Sequence, residues 1–264
     1  MTATTLALCN QKGGVGKSTT TYHFARAAVI AGLRVLVVDA DPQGNLTQVI
    51  AREEVGEDEV GLADVLSSRA DETAADVIVP GLWDGLDLLP TSGVTLGAVR
   101  DELVIAGAGR ENRLREALAA VAQDYDLILI DCAPSLDQLT INGLSAADGV
   151  VVVTQSKLWS ANGLAQLLET IETVTRYYNP DLRVAGIIVN QHESNTIGGA
   201  HWLDELTEQA QARGLRVLSP PIPKRVAIAD ATEESEALDQ GTPERRELAE
   251  LYSQHLSALI EKEN

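Results

Sequence analysis

The residues able to do chemistry in this 264-residue chain are gathered in one run and three carboxylates. The run is Gln11-Lys12-Gly13-Gly14-Val15-Gly16-Lys17-Ser18-Thr19, and the carboxylates are Asp39, Asp41 and Asp131. Glycines let a backbone curl until successive N–H groups converge on phosphate oxygens, and a helix beginning there adds its positive end. Lys17 is placed to reach the β- and γ-phosphates of a nucleotide, and the Ser18 hydroxyl to ligate Mg²⁺. Lys12, Gly13, Gly14, Val15, Gly16, Lys17, Ser18 and Thr19 are therefore the expected nucleotide contacts. The usual pattern, G-x-x-x-x-G-K-[ST], needs glycine at position 11, where this chain has Gln11. A second lysine, Lys12, stands instead at the mouth of the loop. A cation there fits a contact with its own nucleotide or with one held by a facing subunit; the plainer alternative is a solvated lysine.

Asp131 follows four aliphatic residues, Leu127–Ile130. A carboxylate at the end of a buried strand is expensive unless a cation or hydrogen bonds satisfy it, and magnesium, usually through water, would do so here. Asp39 and Asp41 lie two apart in an extended segment, so both side chains point the same way. Asp41-Pro42-Gln43-Gly44-Asn45 also reads as a turn leading into a helix. For the base, Asn190-Gln191-His192-Glu193 lacks the N-K-x-D of guanine readers, which favours ATP. Asn190 is positioned either to hydrogen-bond adenine or to cap the strand end.

These residues need a scaffold. Leu6–Asn10, Val35–Asp39, Leu86–Leu89, Leu127–Asp131, Val150–Thr154, Val184–Asn190 and Arg216–Leu218 are short aliphatic runs. Helical spacing fills Thr19–Ala31, Arg113–Ala122, Ala161–Tyr177 and His201–Ala212. Alternation of buried runs with helices predicts an α/β fold with a mostly parallel twisted sheet flanked by helices. No repeat or flexible linker divides the chain, so one domain over 1–264 is expected. The acidic stretch Arg52–Val60 reads as a solvated loop or helix end. Leu248, Leu251, Leu256 and Ile260 make an apolar stripe in the tail, a core face rather than a partner-binding one.

K-G-G-V-G-K-S-T, V-V-D-A-D-P-Q-G-N at 37–45 and I-L-I-D-C-A-P-S at 128–135 together resemble the ParA/Soj partition ATPases, of the deviant Walker A group of P-loop NTPases that includes MinD. N-G-L-S-A-A-D at 142–148, N-P-D-L-R at 179–183 and I-P-K-R at 222–225 extend the likeness over nearly the whole chain. Ala133 departs from the family's D-C-P-P-S. The resemblance implies that Asp41 positions the attacking water and Asp39 supports the magnesium shell. It gives Lys12, Lys17 and Asp41 catalytic roles, and Ser18, Asp39 and Asp131 metal roles. Pro221 and Pro223 would wall the adenine. It further implies an ATP-bridged homodimer that binds DNA without sequence preference and is released by hydrolysis that a ParB-like centromere-binding protein stimulates. The expected location is cytoplasmic and nucleoid-associated. Only ten residues precede Gln11, so an N-terminal helix-turn-helix domain is not expected.

Composition sets limits on this reading. Twenty Lys+Arg against 39 Asp+Glu give a net charge of −19, which opposes any bulk attraction to nucleic acid or anionic lipid. DNA binding would need a local patch: Lys224 and Arg225 first, then Arg245 and Arg246. No apolar stretch approaches the length of a membrane span, and neither a signal peptide nor a basic amphipathic tail helix is apparent, which argues against stable membrane association and a MinD-like role. Positioning of another cargo by the same cycle stays open. An iron–sulfur carrier would need exposed cysteines, whereas Cys9 and Cys132 sit in apolar runs and read as buried thiols.

Overall fold

The aliphatic runs become strands buried on both faces, and the helices between them cover those faces. The computed structural model describes residues 3–156, 161–194 and 196–261. In chain order the first elements are β1 (Thr4–Cys9), α1 (Lys17–Ile30), β2 (Val35–Ala40), α2 (Asn45–Ile50), α3 (Leu62–Leu66), α4 (Ala74–Val77), β3 (Val79–Pro80) and β4 (Leu86–Leu89). Next come α5 (Thr95–Ile105), α6 (Arg113–Ala119), β5 (Leu127–Cys132), α7 (Gln138–Ala146), β6 (Gly149–Gln155) and α8 (Ala161–Tyr177). The last are β7 (Arg183–Asn190), α9 (Ile197–Gln211), α10 (Val226–Glu233) and α11 (Pro243–Ile260).

The strands form one sheet in the order β3-β4-β2-β5-β1-β6-β7, parallel throughout except where β3 meets β4. Alternation along each strand divides the core in two. Leu6, Leu8, Val35, Val37, Leu127 and Leu129 pack with α1, α10 and α11, whereas Ala7, Leu36, Val38, Ile128 and Ile130 pack with α5 to α8. Asp39 and Asp131 continue the first set, so both carboxylates turn toward α1.

Three expectations about elements need correction. Arg216–Leu218 is not a strand: Val217 makes a single parallel bridge to Ile187, because Pro220 and Pro221 follow and cannot donate to a longer ladder. Asn10 lies beyond β1, its side chain donating to the Val153 carbonyl at 2.7 Å. The helix expected from His201 begins at Ile197, where the Thr196 hydroxyl accepts the Gly199 N–H. Arg52–Val60 is an exposed loop, as read. Along α11, Leu248 and Leu256 are buried while Leu251 and Ile260 are half-buried, so the stripe faces the core. The tail's last residues, Lys262 to Asn264, lie outside the described residues. Among the described residues, no helix is long and apolar enough to cross a membrane.

α1 is locked to the tail through His23. Its ring lies 4.6 Å from that of Tyr252, and Nε2 is 3.4 Å from the Ile228 carbonyl oxygen. Burial lowers the His23 pKa from 6.5 to about 4. On acidification the unfolded chain takes up this proton near its ordinary value, well before the folded state does, so the contribution of His23 to stability falls across that interval. The loss attributable to His23 should reach at most about 3 kcal/mol. Relative to His23→Gln, which stays neutral, the wild type should lose denaturant midpoint between neutral pH and about pH 4.5. Parallel curves for the two proteins would refute this assignment.

Candidate functional site

Residues 10–16 carry the chain from β1 to α1. Gly14 and Gly16 have φ of 70° and 88°, which a residue with a Cβ adopts only under strain. Gly16 is constrained twice, since a Cβ there would stand 2.2 Å from Asn190 Nδ2. It occupies the N-cap of α1, and no side chain caps that helix. The first N–H groups, with the positive helix end, are therefore left for an anion. Lys12, Gly13 and Gly14 are exposed, Ser18 and Thr19 half-buried, and Val15 and Lys17 buried. The Lys12 N–H is fixed by Asn10 Oδ1 at 2.9 Å, while its ammonium has no partner among the described residues.

Behind the loop stand two carboxylates, paired in register across β2 and β5. Asp131 is 1% exposed, and burial, reinforced by the charge of Asp39, raises its pKa to about 8 against the pull of Ser18 and Lys17. Its Oδ1 lies 3.5 Å from the Thr21 hydroxyl, and its Oδ2 has no hydrogen-bond partner among the described residues. Asp39 is fully buried, which raises its pKa to about 6 although Thr47 and the Asp41 N–H oppose the shift. Asp39 Oδ2 accepts both the Thr47 N–H at 2.8 Å and the Thr47 hydroxyl at 2.7 Å, and Oδ1 accepts the Asp41 N–H at 3.3 Å. Thr91 completes the cluster, its N–H donating to Thr47 Oγ1 at 3.0 Å and its hydroxyl to the Asp39 carbonyl at 2.6 Å.

A magnesium ion fits this arrangement. A buried carboxylate oxygen without a donor lies by the half-buried Ser18, and no cluster of three or more His, Cys, Asp or Glu fit for a metal occurs among the described residues. Magnesium takes such sparse protein shells when phosphates and waters complete its octahedron. Both Asp39 oxygens accept hydrogen bonds, Oδ2 from Thr47 and Oδ1 from the Asp41 N–H, so this carboxylate braces the site from behind. Asp41 is half-buried past the end of β2. Its Oδ1 accepts the Gln43 N–H at 3.0 Å and its carbonyl the Gly44 N–H at 2.9 Å, so the turn exists as read. The cap of α2 is Gly44.

On the base side, Asn190 Nδ2 donates to the Val15 carbonyl at 3.0 Å and Oδ1 accepts the Gln191 N–H at 2.8 Å, so this buried side chain holds the loop. Pro221 and Pro223 are half-buried beside it, where the Ile222 N–H donates to the Val189 carbonyl at 2.8 Å and the Ile222 carbonyl accepts the His192 N–H at 2.9 Å. The candidate DNA contacts are mostly ion-paired. Lys224 meets Glu193 at 2.7 Å, Arg225 meets Glu244 at 3.4 Å, and Arg245 meets Glu236 at 2.8 Å. Arg245 is only 22% exposed, a poor surface cation, and Arg246 donates to the Gly241 carbonyl. Cys9 and Cys132 are buried and free, as read.

A glycine loop between the first strand and first helix, a buried lysine and a half-buried serine at the helix start, and a buried aspartate on the adjacent strand define a P-loop nucleoside-triphosphatase fold. A family profile described as AAA domain matches residues 3–184. The chain is 36% identical to the sporulation initiation inhibitor protein Soj of Bacillus subtilis, covering 94% of each chain. It is 37% identical to the chromosome-partitioning ATPase Soj of Thermus thermophilus, over 90% of this chain and 88% of that one. Cobyrinic acid a,c-diamide synthase from Mycobacterium smegmatis, solved with bound ATP analog and magnesium, superposes with a TM-score of 0.81 at 33% identity, covering 98% of this chain and 94% of that one. The chain belongs to the ParA/Soj family of P-loop ATPases.

Sequence reading missed Thr47 and Thr91, which lock Asp39, and Gln155 and Gln191, which touch the loop. The signal for Thr91, Gln155 and Gln191 is a polar residue at or just past a strand's C-terminal end, whereas Thr47 lies inside α2. For Asp131, a raised pKa means that its contribution to folding is complete below the ordinary carboxylate value and is lost as pH rises through about 8. Without magnesium, the wild type should therefore melt lower at alkaline than at mildly acidic pH. Asp131→Asn should melt higher by several degrees and lose much of that dependence, yet no longer bind nucleotide in a magnesium-dependent way. Thermal melts in chelator, paired with nucleotide titrations, check both halves.

Proposed function

We propose that this protein is a magnesium-dependent partition ATPase whose ATP-bound homodimer binds DNA without sequence preference and is released by hydrolysis stimulated by a ParB-like partner. The observation that carries the ATPase reading is the set of buried Lys17, half-buried Ser18 and the unpartnered, buried Asp131 oxygen beneath an uncapped, glycine-lined helix start. The partition role is supported by the names of relatives that match nearly the whole chain. The proposed cargo is a DNA molecule at a centromere-like site, and the proposed location is cytoplasmic, over the nucleoid, without stable membrane attachment.

Each residue then has a task. N–H groups of the loop cradle the phosphates, Lys17 neutralises the β- and γ-phosphates, and Ser18 with Asp131 would hold the magnesium, which supplies charge neutralisation at the phosphates when bound. Asp41, with one oxygen in its turn and the other without a partner among the described residues, positions the attacking water. Pro221 and Pro223 flank the base. Lys12, exposed at the loop mouth with an unpaired ammonium, reaches the nucleotide of the facing subunit.

DNA binding by so acidic a protein rests on Lys224 and Arg225, whose side chains are 58% and 50% exposed. Exchanging their exposed carboxylate partners for phosphates is inexpensive, because such surface pairs contribute only about 0–1 kcal/mol each.

Lys17→Ala should abolish tight ATP binding, and unchanged affinity in calorimetry would overturn the P-loop roles. Lys12→Gln and Asp41→Ala should each lose stimulated hydrolysis while binding ATP. Mixing the two should restore activity, since one of two shared sites regains both groups; no recovery would place Lys12 on its own nucleotide or in solvent. A cation acting across such an interface typically accelerates phosphoryl transfer by about 10³–10⁵-fold, so the loss should be large.

DNA binding should require ATP and weaken with salt at a log–log slope near −0.9 per phosphate contacted. Lys224→Ala/Arg225→Ala should weaken it without impairing dimerisation. The deciding assay is ATP turnover with DNA alone, with the cognate ParB candidate alone, and with both. Turnover that requires cobyrinic acid would instead favour the activity by which the Mycobacterium smegmatis structure is named.

A further inference from the structure

Three consecutive carbonyls of the loop are tied down. The Gly14 oxygen accepts from Gln155 Nε2 at 3.0 Å and from Gln191 Nε2 at 3.3 Å. The Val15 oxygen accepts from Asn190 Nδ2 at 3.0 Å. The Gly16 oxygen accepts from the Thr20 N–H at 2.9 Å and the Thr20 hydroxyl at 2.7 Å, inside α1. In a trans peptide the carbonyl and the following N–H point in opposite directions. A carbonyl drawn toward the ends of β6 and β7 therefore turns the next N–H away from them. The N–H groups turned in this way belong to Val15 and Gly16, and neither meets an acceptor among the described residues.

The two glutamines are also braced against each other, with Gln155 Nε2 donating to Gln191 Oε1 at 2.6 Å. Gln191 holds this place with φ of 52°, a left-handed backbone that an ordinary side chain avoids. One step further on, Ser156 Oγ and His192 Nδ1 stand 2.8 Å apart, so side-chain pairing continues where the β6–β7 ladder stops. Asn190 fits against Gly16 so closely that no Cβ could be placed between them. The amides of Gln155, Asn190 and Gln191 thus form one support under the tip of the loop.

We propose that Gln155, Asn190 and Gln191 are positioning residues that aim the Val15 and Gly16 N–H groups at the nucleotide phosphates. Asn190 then acts on the phosphates through the loop and takes no part in choosing the base. This rests on the phosphate-loop reading above, which Lys17→Ala tests separately. The three side chains have one mode of action, so their loss should be felt by any nucleotide bearing a β-phosphate, whatever its base.

The experiment is competitive binding of ATP, ADP and GTP to the full chain and to Gln155→Ala, Gln191→Ala and Asn190→Ala. Loss of one net hydrogen bond is worth about 1 kcal/mol, or roughly fivefold in affinity. Each variant should lose about that factor for ATP and ADP alike, with the ratio of ATP to GTP affinity unchanged. Asn190→Asp, which keeps the shape against Gly16 but offers the Val15 carbonyl no donor, should lose at least as much as Asn190→Ala. The backbone amide chemical shifts of Val15 and Gly16 in the nucleotide-free protein should move in all four, a change that a purely base-reading role would not produce. The two glutamine variants alter partly exposed side chains and keep the test open should an Asn190 variant fail to fold. Unchanged ATP and ADP affinity in the glutamine variants would overturn the proposal. So would an Asn190→Ala protein that loses ATP-over-GTP selectivity, because that outcome assigns Asn190 to the base. If Lys17→Ala still binds ATP tightly, the phosphate-loop reading fails instead.

Discussion

The site depends on keeping a lysine and two carboxylates out of water at the C-terminal edge of the sheet. Lys17, Asp39 and Asp131 are 6%, 0% and 1% exposed, and charges so placed are tolerated only when paired or hydrogen-bonded. Asp39 is satisfied by Thr47 and the backbone, and Asp131 only in part. The difference divides their work: the satisfied carboxylate stiffens the site, and the unsatisfied one keeps an oxygen for a cation. A well-filled apolar replacement would be more stable and would do nothing, so function here is held at the expense of folding free energy.

The remaining architecture serves to make this burial tolerable. The parallel sheet delivers β2 and β5 side by side, so Asp39 and Asp131 fall in register. α1 brings Lys17 and Thr21 over them and cannot drift, because Tyr22, His23 and Phe24 are packed under α10 and α11. Arg26 adds a two-pronged bond to Asp239 at 2.9 and 2.7 Å. In a core poor in aromatic side chains, two of the four buried Tyr and Phe residues among the described residues, Tyr22 and Phe24, lie on the helix that leads from the loop. Stability and site geometry therefore share one element.

Much of the scaffold was legible in the sequence because its signals are local. Val/Ile/Leu runs predict strands buried on both faces, and six of seven such runs became strands within about two residues. The seventh, Arg216–Leu218, failed because the prolines after it carry no N–H, a feature equally visible in the chain. β3 carried too little pattern to find, being two residues long. The catalytic loop and Asp131 were readable for the same reason, each being a contiguous motif. Asn190 was found but its tie to the Val15 carbonyl was not, and Gln155 and Gln191 were not found. What they do is decided by which carbonyl lies across the gap, and that pairing joins residues far apart in the chain. The ion pairs that occupy Lys224 and Arg225 were equally hidden, since Glu193 and Glu244 come from other segments.

The close approach of Asn190 to Gly16 has a consequence for how this loop can drift over evolutionary time. The two positions look like a lock that could be opened from either side, yet it is one-sided. Shrinking residue 190 would clear the space that a Cβ at residue 16 needs, but the positive φ of Gly16 would still forbid most side chains there. Enlarging residue 190 is barred while the loop keeps its present path. A lineage could therefore lose the asparagine and survive with a slacker loop, whereas the glycine must persist in every descendant that retains this helix start. Among related sequences, position 16 should look invariant and position 190 merely small, although the two touch.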